Sequence, residues 1–342
     1  MKNKKIIPHS KPTISIAQFL FLSKLFFSRN FSTGNTSNRL SGNLTRFFRR
    51  KYCEVLSSGT AALHLLLKSI ITDPSDKILL PGYSCCDLAN AVLLAGGIPV
   101  FIEASENGQI SENDLLNNID NEVKAIIIDH SFGQACLVPN LDSFGIKIIE
   151  DCTHTFKSFY KFSDIIVSLG ATKLVSGVEC GVVLTNQSNI IKSIQDDLSN
   201  SSNLRYPYRE SDIHAGIAIK QVDEIEKYLV KRKKIAQYYF KHFSLSKKKN
   251  ICLAGKPAES SSFYRFVIKM KNKDDCDACL KFCWENNIRC ERPISPRKEA
   301  MKLEQVKKVY DTFLSIPIYP SLTRLECRKI VLVILKYNSI EE

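Results

Sequence analysis

The chain has 342 residues, more than one compact core ordinarily takes, so one large domain and at least one smaller one are expected and a small binding module is excluded. Hydrophobic residues make up 44% and charged residues 24%, the balance of a globular protein and not of a disordered one. Lysine and arginine outnumber aspartate and glutamate by 48 to 35, a net +13, which favours anions without choosing among nucleic acid, anionic lipid and phosphorylated small molecules.

The basic residues cluster in KNKK near the start, in KRKK at Lys231 to Lys234 and in KKK at Lys247 to Lys249. None is interleaved with aromatic rings, so a solvated face is expected and no nucleic-acid partner. The apolar stretch IAQFLFLSKLFF is too short to span a bilayer, is interrupted by Lys24 and is followed by no small-residue cleavage site. A cytoplasmic chain without stable membrane insertion is expected, with at most a peripheral contact through this amphipathic segment. The twelve cysteines are scattered through apolar or helical surroundings and read as reduced thiols. Cys276, Cys279, Cys283 and Cys290 resemble a ligand set, but the first three fall on one helix face with Leu280. That is core spacing, and no metal site is expected.

Residues 1–50 read as an N-terminal arm and helix. From about Ser57 to Asn186, helical stretches alternate with short, wholly apolar runs bounded by turn residues. This pattern predicts an α/β fold, a three-layer α/β/α arrangement around a mostly parallel, buried sheet. A helix begins after SSGT, with Leu63, Leu66 and Leu67 at helical spacing. Strand DKILLPG, helix DLANAVLLAG, strand IPVFIE, a helix around ISENDLLNNI, strand VKAIIIDH, the turn SFGQ and strands IKIIED, DIIVSLG and GVVLTN follow. After the polar piece DDLSNSSNLRYPYRE, one long helix from Ser211 to about Phe243 is expected to link the large domain, 51–243, to the rest. Beyond AGKPAESSS come strand FYRFVIKM, helix DDCDACLKFCWENN, strand IRCERPI and a closing helix after IYPSLT, a small C-terminal α+β domain over 244–342.

Three features of the large domain suggest one chemistry. Lys173 follows strand DIIVSLG, at the carboxyl end where open α/β sheets place their ligands. Asp151 closes IKIIED at another carboxyl end, and an ionised carboxylate there would hold a ring nitrogen protonated. Gly59 and Thr60 open a helix, whose backbone N–H groups and dipole suit a phosphate, and Ser168 adds a hydroxyl five residues before Lys173. Alone, each has a plainer reading: a surface lysine, a helix-capping Asp, a common N-cap. In order, at the strand ends of one sheet, they match what pyridoxal phosphate requires: an amine for its aldehyde, an acid for its pyridine nitrogen and donors for its phosphate.

The chain resembles the DegT/DnrJ/StrS sugar aminotransferases of fold type I nearly end to end. The resemblance is carried by IPHSKPTI, VLSSGTAALHLLL, ANAVLLAGGIPVFIE, HSFGQ, IIEDCTHTF, SLGATK, RESDIHAG and LSIPIYPSLT. It implies pyridoxal 5'-phosphate as cofactor, Lys173 as the Schiff-base lysine, Asp151 as partner of the pyridine nitrogen, and Gly59, Thr60 and Ser168 as phosphate ligands. His154 lies where the family carries Gln or His near the cofactor's 3-hydroxyl. The implied reaction moves an amino group from an amino acid, glutamate in the family's usual case, to a keto carbon of a nucleotide-linked sugar, in polysaccharide or secondary metabolite synthesis. The implied assembly is a homodimer in which each site borrows from its neighbour.

The chain also departs from the family pattern. Cys85 stands where an aromatic ring stacks on the cofactor, with Tyr83 nearby. Pro207 stands where a neighbouring subunit supplies Asn to the phosphate, after a shortened loop, and RPISPR lacks the histidine of the matching family segment. Two other readings follow: a relative that binds without turnover, and a dehydratase on the same scaffold. Dehydratases of the family replace the lysine by histidine, so Lys173 weighs against the second.

Overall fold

The computed structural model describes residues 5–29, 31, 34–199, 205–244, 252–253 and 261–340. The cluster Lys247 to Lys249, most of KNKK and most of AGKPAESSS lie outside the described residues. Two helices open the chain, α1 (Ile16–Ser28), capped by the Ser15 hydroxyl, and α2 (Asn35–Phe48). Both lie against a later helix, α7 (Asp212–Asp223).

The central sheet has seven strands: β1 (Tyr52–Leu56), β2 (Lys77–Pro81), β3 (Ile98–Ile102), β4 (Val123–Asp129), β5 (Lys147–Asp151), β6 (Asp164–Ser168) and β7 (Gly181–Thr185). They run in the order β1-β7-β6-β5-β4-β2-β3. Strands β3, β2, β4, β5 and β6 pair in parallel, whereas β7 and β1 are antiparallel. Between them run α3 (Gly59–Lys68), α4 (Cys86–Leu94), α5 (Glu112–Asn117) and, after β7, α6 (Ser188–Leu198). The strand at Tyr52 was not predicted. Tyr52 is exposed, Cys53 and Glu54 are half-buried and the strand lies at the sheet edge, so it lacks the continuous apolar run that marks the inner strands.

The helix expected from Ser211 to Phe243 is two helices, α7 and α8 (Ile225–Ser244), broken at Glu224. Arg232 of α8 is buried, and its guanidinium donates to the carbonyls of Phe263, Tyr264 and Ile318 at 3.0–3.3 Å. A second sheet of β8 (Cys252–Leu253), β9 (Phe266–Lys269) and β10 (Phe313–Ile316) follows, with α9 (Lys273–Glu285), α10 (Glu304–Thr312) and α11 (Arg324–Ile340). Cys276, Cys279 and Cys283 of α9 are fully buried in the core between this sheet and its helices. IRCERPI forms no strand, only two isolated bridges, Ile288 to Ile7 and Glu291 to Ser315. Its neighbour across the chain is the N-terminal arm, where Ile7 exchanges backbone hydrogen bonds with Asn287 and Arg289 at 2.9 Å. Among the described residues no helix is long and apolar enough to cross a membrane.

Glu150, next to last in β5, is fully buried and organises the segment between β5 and β6. It accepts from Phe159 N–H at 2.7 Å, Ser158 Oγ at 2.6 Å and the Ser163 hydroxyl, and lies 3.0 Å from His130 Nε2. Burial opposes its ionisation, but hydrogen bonds from His130, Ser158, Ser163 and Phe159 outweigh that cost and hold its carboxyl below the usual range. A lowered carboxyl pKa stabilises the fold above the unfolded value of about 4.3, and the contribution is lost as pH falls through the folded value. Glu150→Gln should therefore cost about 1.5–3 kcal/mol at pH 7, with the gap narrowing below about pH 4 in urea unfolding.

Candidate active site

The carboxyl ends of β5 and β6 and the start of α3 enclose a cavity of about 430 Å³. Its walls include Ser58, Gly59, Thr60, Asp151, Thr153, Ser168, Thr172 and Lys173, with Cys85 and Asp87 from the start of α4. Of the six residues singled out from the sequence, Gly59, Thr60, Asp151, Ser168 and Lys173 therefore meet in one pocket.

At one end, the Ser58 hydroxyl caps α3 by accepting from Ala61 N–H at 3.1 Å. The first turn of a helix has N–H groups without intrahelical partners, so this end attracts an anion. Gly59 lets the turn lie against β6, because a Cβ there would meet the Ser168 Cβ at 2.5 Å. Gly181 of β7 is under the same constraint, since its Cβ would lie 2.1 Å from the Ser58 carbonyl oxygen. A Cβ is fixed to its own backbone and a carbonyl oxygen is part of it, so neither neighbour can give way and glycine is required.

At the other end, Asp151 accepts from Thr153 N–H at 2.9 Å. Its register partner across β4 and β5 is Asp129, buried at the end of β4. Burial and the charge of Asp129 push the Asp151 carboxyl up, and His154 and Thr153 offset only part of this. Between the two ends, Lys173 lies in the turn after β6, its N–H donating to Gly170 O at 3.0 Å. Burial alone would lower the Lys173 ammonium, but the acidic groups of Tyr264, Asp151, Cys85 and Asp129 hold it above the ordinary lysine value.

His154 does not line this cavity. Its ring stacks on Tyr264 at 4.2 Å between centroids and 13° between planes, and its Nδ1 lies 3.4 Å from Asp129 Oδ1. Tyr264 connects it to the pocket, with Lys173 Nζ 5.8 Å from the Tyr264 ring centre. Asp129 and Tyr264 were not singled out from the sequence. Asp129 carried a usable signal, an acid ending a parallel strand beside the one that Asp151 ends. Tyr264 comes from the segment before β9 and had no such signal.

Tyr83 is fully buried in a cluster with Phe132 and Phe313, so it does not replace the ring absent at Cys85. None of the residues lining the cavity is aromatic. The donor set fits pyridoxal phosphate: a helix start with two hydroxyls for a phosphate, an amine in the wall, and a half-buried carboxylate opposite. The volume is within the range of small-molecule sites.

A mostly parallel sheet with its lysine and carboxylate at the carboxyl edge is the arrangement of the fold type I transferases, whose cofactor is pyridoxal phosphate. This chain belongs to the DegT/DnrJ/EryC1/StrS aminotransferase family, whose model matches residues 21–335. It is 27% identical over 234 residues to a GDP-perosamine synthase of Vibrio cholerae, a match spanning 61% of this chain and 62% of that relative. Its fold is that of PseC of Helicobacter pylori, an aminotransferase involved in the biosynthesis of pseudoaminic acid. The TM-score is 0.90 at 20% identity, over 98% of this chain and all of that one. It is equally that of Spr1654 from Streptococcus pneumoniae in its PLP form, with a TM-score of 0.87 at 19% identity, over 98% of this chain and 99% of that one.

A carboxyl with a raised pKa costs stability once ionised, and the cost grows as pH rises through the folded value. Asp151→Asn should therefore raise the thermal midpoint of the cofactor-free protein at pH 7 relative to wild type, with a smaller gain at pH 4. A variant less stable than wild type at pH 7 would show that Asp151 is not under this strain.

Proposed function

We propose that this chain is a pyridoxal-phosphate-dependent aminotransferase that moves an amino group from an amino acid, glutamate in the first instance, to the keto carbon of a nucleotide-linked sugar. The observation that carries the reading is the shared pocket of Lys173, Asp151, Ser168 and the α3 N-terminus, with family membership in support. When bound, pyridoxal phosphate supplies an aldehyde for amines and a ring that withdraws electrons from the attached carbon.

In this reading Gly59, Thr60 and Ser168 hold the phosphate through backbone N–H groups and hydroxyls, where the helix dipole favours an anion. Asp151 keeps the pyridine nitrogen protonated, and the positive ring nitrogen relieves the cost of ionising a carboxylate in this buried corner. Lys173 would hold the aldehyde and, with its amine free, would take up and return a proton beside the site as base and then acid. The acidic groups around Lys173 hold its free amine protonated, so it must shed a proton before it can bind. His154 stands beside the site on Tyr264, where the 3-hydroxyl of the cofactor is its expected neighbour.

The basic surplus suits an anionic nucleotide diphosphate, as the names of the relatives suggest. A homodimer is part of the same proposal. One side of α1 lies on α7, while Phe19, Leu20 and Phe27 are 67%, 57% and 89% exposed, a patch suited to burial against a second copy.

Lys173→Ala should abolish both the absorbance near ~400 nm of the cofactor-loaded protein and amino transfer from glutamate to keto-sugar nucleotides. A variant that kept the absorbance would assign the wrong lysine, and wild type without the band would refute the enzyme reading. Gel filtration at micromolar concentration should show twice the monomer mass; a monomer would refute the dimer.

A further inference from the structure

Asp129 is a buried carboxylate for which the functional reading has no role. It ends β4 directly opposite Asp151, and 5% of its surface is exposed. Its Oδ2 accepts from the Ser131 hydroxyl at 3.0 Å, while Oδ1 has no hydrogen bond. His154 Nδ1, also buried and without a hydrogen bond, faces that oxygen at 3.4 Å. Each unsatisfied atom is thus the nearest available partner of the other, short of contact by a few tenths of an ångström.

The His154 ring cannot tilt away, because it lies flat on Tyr264, whose ring is approached by Arg265 at 5.0 Å, Lys173 at 5.8 Å and Arg232 at 6.0 Å. The remaining freedom is a half-turn of the imidazole, which presents either Nδ1 or a carbon to Asp129. An ionised carboxylate accepts only from N–H, so it selects the orientation and the tautomer together.

We infer that Asp129 is the positioning residue of His154: it accepts the Nδ1 proton, locks the imidazole against Tyr264 and leaves Nε2 as the nitrogen that serves the cofactor site. This deepens the functional reading above and rests on it for the role of Nε2. The arrangement also divides the charges. Asp129 is matched by His154, so Asp151 is left for the pyridine nitrogen. Burial opposes ionisation of Asp129, yet His154, Ser131 and His130 hold its carboxyl below the usual range. The other charged or titratable groups facing the pair are Asp151 from β5, Lys173 from the turn after β6, and Tyr264 and Arg265 from the segment before β9. A carboxylate that orients a histidine through the ring nitrogen remote from the reacting group is a general device of metal and catalytic sites.

The test is nitrogen-15 NMR of the imidazole in cofactor-loaded and cofactor-free protein. In wild type, Nδ1 of His154 should carry a proton that exchanges slowly with water, and in Asp129→Asn the exchange should be roughly tenfold faster or the signal lost. A wild-type His154 with a bare Nδ1 overturns the proposal without any variant. In the loaded enzyme, the pH midpoint of the absorbance near ~400 nm should move by on the order of one unit in Asp129→Asn, and the same substitution in a His154→Gln background should add nothing. An undiminished shift in that background would mean that Asp129 acts directly on Asp151, which also overturns the proposal. A chain that takes up no pyridoxal phosphate defeats the functional reading alone, and the Nδ1 proton of the cofactor-free protein still decides the pairing.

Discussion

Two carboxylates are forced together at the carboxyl edge of the sheet, and the rest of the site is arranged around that constraint. Strands β4 and β5 are parallel and in register, so Asp129 and Asp151 end them side by side. Asp129 is buried and Asp151 half-buried in the cavity wall, and two like charges at strand spacing require nearby cations or donors. Lys173, His154, the Ser131 hydroxyl and the Thr153 N–H answer that need. In the proposed reading, a ring nitrogen that binds as a cation adds to these partners.

Behind the pocket, a second buried pair holds the frame. Arg50 donates to the carbonyls of Phe48, Tyr160 and Ser163 and to the hydroxyls of Ser158 and Ser163, and the same two serines donate to Glu150. The loop between β5 and β6 is thereby tied to both the start of β1 and the body of β5. Asp151 at the end of β5 and Ser168 at the end of β6 inherit their spacing from this network, and the Ser168 N–H to Thr153 Oγ1 bond of 2.8 Å closes it near the pocket. Fully satisfied polar networks of this kind specify one arrangement, because any alternative leaves a buried charge unpaired.

The inner strands and their helices were legible because a parallel sheet covered on both faces demands wholly apolar runs, and ILL, AIII and IIV stand out in any reading of the chain. The misreadings follow from the same rule. β1 is an edge strand, IRCERPI pairs only through two isolated bridges, and the break between α7 and α8 at Glu224 interrupts no hydrophobic period. In the site, the SSGT turn, Asp151, Ser168 and Lys173 were legible from their places at strand ends. His154 lies outside the cavity wall, its ring stacked on Tyr264 and its Nδ1 3.4 Å from Asp129 Oδ1.

By itself the sequence determined the alternation of strand and helix, the place of the lysine and carboxylate at strand ends, and the glycines that permit close backbone approach. These are local properties, decided by hydrophobic period, helix capping and the steric demands of a single residue. The tertiary structure alone decided which distant groups became neighbours. Register placed Asp129 against Asp151. The packing of the segment before β9 carried Tyr264 onto His154, and burial of Tyr83 with Phe132 and Phe313 left the pocket without an aromatic wall. Such contacts join residues far apart along the chain, and their geometry depends on how whole layers pack, which no local window of sequence contains.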